Sequence, residues 1–199
     1  RMGRKYKGRA GVWGVLGDRG ALPVARMGIG GNRLDNPATQ DLIDSGYEGL
    51  NPGVLNGDKR LEEQAQDGIV GEVMYPSLNM FTWAVGDTEI MNAAFQRHND
   101  WIIDYCRNAP DRLIGIGCLP IPDIDLAIEE MTRAAKLGVR GFMIPTHTPT
   151  DRPYHHEDYD PFWAAAEAMN LPLTMHIFVG TSPDGGMPKH WGTPGGTIK

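Results

Sequence analysis

The hydrophobic residues of this chain gather in four short runs, at residues 69–75, 113–119, 139–144 and 173–179. The first three runs each stop at a proline, and the fourth ends at Gly180. Short apolar runs that end at proline or glycine are typical of buried β-strands. Proline lacks the N–H that a strand ladder requires, so we expect each strand to end there and a loop to follow.

Segments with helical periodicity separate these runs. The longest is predicted to begin at Asp87 or Thr88 and to end by Pro110, with apolar residues at the 3.6-residue period. Three shorter helices are predicted at residues 58–66, from Asp123 or Asp125 to Leu137 with Gly138 as the stop, and from Asp160 as N-cap through Pro161 to Met169. Each strand follows a helix, which predicts an α/β fold with a parallel sheet or barrel.

Residues 1–56 lack any sustained period and hold many glycines. We expect an irregular excursion there, with short strands near residues 11–16 and 22–27, and one regular domain at residues 57–199. The stretch at residues 28–33 (GIGGNR) is similar to a dinucleotide-binding loop. Arg33 stands where the third glycine belongs, and no strong strand precedes it, so this interpretation is disfavoured.

The composition is ordinary for a globular protein, with 199 residues of which 41% are hydrophobic and 22% charged. No apolar stretch approaches the roughly 20 residues that span a bilayer, so no membrane partner is expected. The net charge of -6 argues against nucleic acid as a partner. Cys106 and Cys118 fit neither a disulfide framework nor a CxxC metal site, which predicts buried free thiols in a cytoplasmic protein. The chain does not begin with Met, so we expect a fragment of a longer protein.

His176 is the main candidate for chemistry, because it lies inside the apolar run at residues 173–179. It is either a core histidine bonded to a backbone carbonyl, or a metal ligand or acid/base group at the end of a strand. The loops expected at the carboxyl ends of the strands add further polar candidates: Ser77, Asn79, Asp123, Asp125, Thr146, His147 and residues 181–191. Among these, Asn79 and His147 are predicted to contact substrate, although a solvated or capping role for His147 is equally compatible.

Other histidines carry weaker signals. Residues 155–160 (HHEDYD) look like a metal cluster, but a solvated turn before the Asp160 cap explains each residue. His98 is predicted to be a surface or packing residue beside Trp101. His190 lies in a Gly/Pro-rich stretch that is either a lid or a frayed end. The sequence contains no GxSxG, P-loop or HExxH pattern, so serine-nucleophile and nucleotide chemistry have no support.

Several motifs together resemble the amidohydrolase-related family that includes aminocarboxymuconate-semialdehyde decarboxylase. They occur in order at residues 61–70 (LEEQAQDGIV), 73–76 (VMYP), 99–101 (NDW), 110–113 (PDRL), 138–141 (GVRG), 160–163 (DPFW) and 171–176 (LPLTMH). The resemblance covers roughly residues 57–180 and implies a partial (β/α)8 TIM barrel that holds about strands 2 to 5. It implies that His176 is a ligand of one divalent metal ion, Zn or Mn.

The resemblance also implies where the remaining parts of the site lie. The His-x-His pair of the first strand would precede residue 1, and the catalytic histidine and aspartate would follow residue 199. The implied reactions are hydrolysis or non-oxidative decarboxylation of a small carboxylic acid. Arg140 and Arg152 are weak candidates for a cation that would bind this acid. A homodimer is compatible with the family, and the fragment alone is expected to be inactive.

Two alternatives to a metal-dependent enzyme stay open at this point. One is a non-catalytic barrel domain that binds a small ligand or a partner. The other is a complete doubly wound α/β domain with a different active site, for which an exposed sheet edge would be unfavourable.

Overall fold

The computed structural model describes residues 2–6, 9–15, 21–27, 32–33, 35–148 and 151–180. They divide into two compact units, with the boundary between Glu63 and Gln64. The division into an excursion at residues 1–56 and a domain at residues 57–199 stays a prediction. The two compact units do not test it. Residues 28–31 of the glycine-rich stretch and the suggested lid at residues 181–191 lie outside the described residues.

The first unit contains more regular structure than its sequence indicates. Strands β1 (Met2–Tyr6), β2 (Arg9–Val15) and β3 (Ala21–Pro23) form an antiparallel sheet in that order. Helix α1 (Pro37–Ser45) was not predicted, because its nine residues bury only Thr39 and Ile43 and so show no clear period. A local signal was present: Asn36 accepts a hydrogen bond from the Ala38 N–H, and Pro37 follows at the first helical position. Helix α2 (Gly57–Gln66) comes next along the chain.

The second unit is built on a parallel sheet of β4 (Glu72–Met74), β5 (Leu113–Gly115), β6 (Gly117–Cys118), β7 (Phe142–His147) and β8 (Leu173–Gly180). Strand β4 pairs with β5, β6 pairs with β7, and β7 pairs with β8, all in parallel. Strands β5 and β6 are successive parts of one segment, because the Ile116 N–H between them donates to the Met74 carbonyl and the Gly117 N–H to the Gly141 carbonyl. The spatial order is therefore β4, β5/β6, β7, β8.

Helices connect successive strands, as predicted. They are α3 (Thr88–Cys106), α4 (Ile124–Leu137) and α5 (Asp160–Ala168), and a 3-10 segment (Leu78–Ala84) precedes α3. This alternation confirms the predicted α/β class, and the described second unit forms a section of a (β/α)8 barrel. Within the described ranges, no helix is both long and apolar enough to cross a membrane.

The helix ends confirm most of the predicted caps. Asp87 accepts from the Ile90 N–H and Asp123 from the Leu126 N–H, and Gly138 ends α4 with φ of 121°. The prediction for Asp160 was wrong: it is the first helical residue, and Tyr159 precedes it without a side-chain cap. A 3-10 turn (Glu157–Tyr159) runs directly into α5, so Asp160 is already helical at φ −55° and ψ −43°.

Pro145 does not end its strand, contrary to the prediction. Strand β7 continues through Pro145 to His147, and Pro145 pairs with His176 of β8. Strand β6 ends at Cys118, opposite Met143, so beyond that point β7 has one described neighbouring strand instead of two. A proline is tolerated where its nitrogen faces no strand partner. The carbonyl of Pro145 accepts a hydrogen bond from the Tyr154 hydroxyl at 2.6 Å.

Candidate active site

One face of the parallel sheet is covered by helices. A Cβ atom added at Gly117 would lie 2.7 Å from the Phe142 ring and 2.9 Å from Oδ1 of Asn99, a residue of α3. Phe142 therefore points towards the helices, and so does its register partner Leu173. Side chains alternate along a strand, so Thr174 and His176 point to the opposite face. In a (β/α)8 barrel, that face lines the interior.

His176 lies at the carboxyl edge of this sheet. Cys118, the last residue of β6, pairs with Met143, and Met143 pairs with Thr174. His176 is two residues further along β8, so it lies beyond the end of β6. Its side chain is half-buried. Active sites of parallel α/β barrels are assembled at this edge, so His176 lies where such a site would be expected.

Tyr75 also lies on this face, but it follows β4, at the opposite end of the strand order from β8. Met74 pairs with Gly115, and a Cβ added at Gly115 would meet Ile102 of α3, so Met74 points towards the helices and Tyr75 away from them. The Tyr75 hydroxyl lies 3.0 Å from Oγ1 of Thr174, within hydrogen-bond distance. Neither hydroxyl stands out in the sequence, because the two residues lie 99 positions apart along the chain.

The 3-10 segment after β4 returns towards β8, with which it is in contact. Its buried Trp83 donates from Nε1 to the Leu119 carbonyl at 2.8 Å, just past the end of β6. Asn79 of this segment accepts a hydrogen bond from Oγ1 of Thr82 at 3.0 Å. Nδ2 of Asn79 is buried and has no hydrogen-bond partner within the described part of the chain. A buried donor without a partner is costly, and an acceptor on a ligand would satisfy it.

The loop after β7 is held by two hydrogen bonds to backbone carbonyls. The Tyr154 hydroxyl donates to Pro145, and Nη2 of Arg152 donates to Pro122 at 2.6 Å. Burial raises the pKa of the Tyr154 phenol, so the hydroxyl stays protonated and remains a donor. Arg152 also lies 5.7 Å from the centre of the Tyr159 ring. Its guanidinium is thus engaged in holding the loop, and a role with substrate stays a prediction.

His147 ends β7 with an exposed side chain, and its Nδ1 lies 3.1 Å from Oγ1 of Thr146. Its register partner is Gly180, so His147 and His176 are not paired across the strands. Arg140 precedes β7 and bonds Asp111 at 3.0 Å on an exposed surface, which places it at the amino edge of the sheet, away from His176.

The remaining candidates have structural explanations. His98 lies 3.2 Å from the Ile116 carbonyl through Nε2, and burial lowers its pKa, which confirms a packing role. His155 and His156 are exposed, and Nδ1 of His156 accepts from the Asp158 N–H. Both cysteines are free and buried, as predicted. Burial raises the pKa of Cys106 to about 11 and raises that of Cys118 well above its usual value.

The described residues contain no complete set of metal donors. No group of three or more His, Cys, Asp or Glu within these residues is arranged to hold a metal ion. A catalytic zinc site usually takes three protein ligands, and His176 by itself is one. A metal centre at His176 therefore needs ligands from outside the described residues.

The sheet, its helices and the position of His176 define a section of a (β/α)8 barrel with its candidate site at the carboxyl edge. The sequence model of the amidohydrolase family matches residues 64–190. The chain belongs to the amidohydrolase family, which confirms the resemblance stated from its motifs.

Two curated relatives illustrate the similarity. The chain is 31% identical over 126 residues to gamma-resorcylate decarboxylase of a Polaromonas species, covering 60% of this chain and 38% of the relative. It is 25% identical over 172 residues to 2-amino-3-carboxymuconate-6-semialdehyde decarboxylase of Caenorhabditis elegans, covering 73% of this chain and 42% of that relative. The chain therefore spans about two fifths of the length of these relatives.

Solved structures give the same result. The chain matches 2,6-dihydroxybenzoate decarboxylase from Rhizobium, complexed with 2,6-dihydroxybenzoate, with a TM-score of 0.53 and 27% identity, covering 60% of this chain and 38% of that one. It matches 5-carboxyvanillate decarboxylase from Novosphingobium aromaticivorans, with bound manganese, with a TM-score of 0.55 and 29% identity, covering 63% and 35%.

Proposed function

We propose that this protein, at its natural length, is a metal-dependent decarboxylase of a small aromatic carboxylic acid. The observation that carries the proposal is the position of His176, which lies on the interior face and at the carboxyl edge of the parallel sheet. The chain that forms this sheet belongs to the amidohydrolase family. Membership of the family alone leaves hydrolysis and decarboxylation open.

The relatives favour decarboxylation over hydrolysis. Four similar curated proteins are named gamma-resorcylate decarboxylase, and a fifth is named 2-amino-3-carboxymuconate-6-semialdehyde decarboxylase. In a non-oxidative decarboxylation, the bond between the ring and the carboxylate breaks and CO2 leaves. The ring carbon keeps the electron pair and takes up a proton, so no oxidant or reductant is needed.

We propose that His176 is one ligand of a divalent metal ion, with manganese preferred over zinc. Solved relatives hold manganese, and a neutral imidazole is a suitable donor for such an ion. A bound divalent ion polarises oxygen atoms of a substrate as a Lewis acid. The other ligands and the catalytic histidine are proposed to lie outside the residues described.

We propose that Asn79 and His147 contact the substrate. The buried and unpartnered Nδ2 of Asn79 supports the first assignment, since an acceptor on the acid would complete its hydrogen bonding. The exposed imidazole of His147 at the end of β7 supports the second. The buried free thiols support a cytoplasmic location.

Metal analysis and turnover of the natural-length protein test this proposal. After loading with manganese and gel filtration, the wild type is expected to retain about one ion per chain and to release CO2 from 2,6-dihydroxybenzoate. His176→Ala should lose both the ion and the activity. His155→Ala is the matched control, because that histidine is exposed in a loop.

The outcomes separate the parts of the proposal. Full metal occupancy in His176→Ala would remove the ligand assignment. Metal binding by the wild type without decarboxylation of aromatic acids would favour a hydrolase. A wild type that binds neither metal nor acid would favour the non-catalytic barrel domain.

A further inference from the structure

The hydroxyls of Tyr75 and Thr174 form a polar pair on the face of the sheet that carries His176. Their oxygens lie 3.0 Å apart and link the residue directly after β4 to β8, the first and last strands in the described spatial order. The Tyr75 side chain must cross the strands that lie between, where Cys118 and Met143 of the same face are fully buried. The phenol and the threonine therefore lie over an apolar layer and below the level of His176.

The pair retains hydrogen-bonding capacity. Each hydroxyl has one hydrogen to donate and two lone pairs to accept. One hydrogen is used between Tyr75 and Thr174, so within the described residues the second hydrogen and several lone pairs are left over. Tyr75 is 47% exposed, so its side chain is not enclosed by the described residues.

The distance from the pair to His176 suits a ring-sized ligand. Thr174 and His176 are two residues apart on one strand and point the same way, which separates them by about 6.6 Å at 3.3 Å per residue. That separation is comparable to the length of a benzene ring with one substituent. An aromatic acid held by its carboxylate near His176 would therefore present its far edge to the two hydroxyls.

We infer that the Tyr75–Thr174 hydroxyl pair is a specificity determinant that binds a hydroxyl substituent on the ring edge opposite the carboxylate of an aromatic acid. This inference rests on the proposed function and narrows its substrate class. Interior layers of (β/α)8 barrels are dominated by apolar residues, and the neighbours on this face, Cys118 and Met143, are apolar and buried. A hydrogen bond to a substrate hydroxyl favours that acid over the analogue that lacks it, by about tenfold for one bond.

Two acids that differ in one hydroxyl test the inference, with manganese-loaded protein of natural length. Binding of 2,4-dihydroxybenzoate and 2-hydroxybenzoate is measured by calorimetry, and KM and kcat are measured for whichever acid turns over. The wild type should bind the 4-hydroxy acid about tenfold more tightly, as one hydrogen bond predicts. Tyr75→Phe and Thr174→Val should each reduce this ratio to near one by raising KM for the 4-hydroxy acid alone, and the double variant should add little.

Thr132→Val is the matched control, because the Thr132 hydroxyl bonds the Ile128 carbonyl of its own helix. It should leave the ratio unchanged. A ratio that survives in Tyr75→Phe and Thr174→Val, even with a lowered melting temperature, would show that the pair only joins the strands and would overturn the inference. Loss of metal from His176→Ala with an unchanged ratio in Tyr75→Phe would overturn the inference and leave the proposed function standing. Failure of the wild type to bind metal and both acids would overturn both.

Discussion

The two faces of the parallel sheet differ in how their polar groups are used. On the helix side, Gly115 and Gly117 let α3 approach closely, and Asn99 bonds both the N–H and the carbonyl of Cys118, at 2.8 and 3.0 Å. On the opposite face, hydroxyls and an imidazole lie among apolar residues, and Asn79 at the carboxyl edge has a buried donor with no partner among the described residues. Asn99 satisfies the strand groups of Cys118 on the helix side, whereas the hydroxyl pair and Asn79 keep hydrogen-bonding capacity within the described residues.

The buried Asn99 and Glu130 on the helix side explain why the first of these faces is sensitive to substitution. Asn99 is completely buried and donates to Oε1 of Glu130 at 2.7 Å, while Arg133 bonds the same carboxylate at 2.7 and 2.9 Å. The carboxylate of Glu130 raises the pKa of Arg133, with a smaller effect of Asp100. Removal of Asn99 would leave a buried strand edge and a buried carboxylate short of partners.

The largest expected effect follows from Asn99→Leu compared with Asn79→Leu. The first change should lower the free energy of unfolding by about 3 kcal/mol or more, since it strips several buried partners at once. The second should cost less than about 1 kcal/mol, because it removes one hydrogen bond and an unsatisfied donor, but it should weaken binding of the aromatic acid. Urea denaturation and calorimetry measure the two quantities. Equal losses of stability in both variants would contradict the distinction between the faces.

A smaller effect is expected from Tyr154→Phe. The variant keeps the packed ring and loses the hydrogen bond to the Pro145 carbonyl, so stability should fall by about 1 kcal/mol. Pro145 is the register partner of His176, so manganese affinity should also fall, by about tenfold as for other residues that orient a metal ligand. Manganese titration of the natural-length protein checks this effect. Trp163→Phe, which changes a ring beside Tyr154 without touching that bond, is the control and should leave the affinity unchanged.

The smallest expected effect is a pH dependence of stability that arises from His98 on the helix side. Burial lowers the pKa of His98 below its usual value of 6.5 in the folded protein, so the unfolded chain takes up a proton first as pH falls. Stability should therefore be greatest above that usual value and decline as pH drops below it. In His98→Gln, this decline between pH 7 and 5 should be shallower. An unchanged slope, measured by urea denaturation at each pH, would show that His98 does not contribute.

Features that depend on short stretches of sequence could be predicted, and those that depend on distant pairs could not. The caps at Asp87 and Asp123 follow from local preferences, and the four strands follow from apolar runs between helices. The contact between Tyr75 and Thr174 depends on the order of the strands in space, which no local pattern encodes. Pro145 misled the prediction because the local rule assumes a strand with neighbours on both sides.

The candidate site was predictable to a similar extent. His176 stood out because an imidazole in an apolar strand is unusual, but its ligand role is still a proposal. Asn79 was selected from its loop position alone, and its unpaired Nδ2 required coordinates. Tyr154 gave no signal, since a tyrosine in a polar loop ordinarily lies at the surface.

The burial of Cys118 gives this protein an internal reporter of its own opening. The thiol has no exposed surface and its elevated pKa keeps it protonated, so an alkylating reagent can modify it only after β6 has separated from its neighbours. The rate of labelling in native buffer would thus measure how often the centre of the sheet becomes accessible, and slower labelling after addition of a ligand would register binding without any assay of turnover.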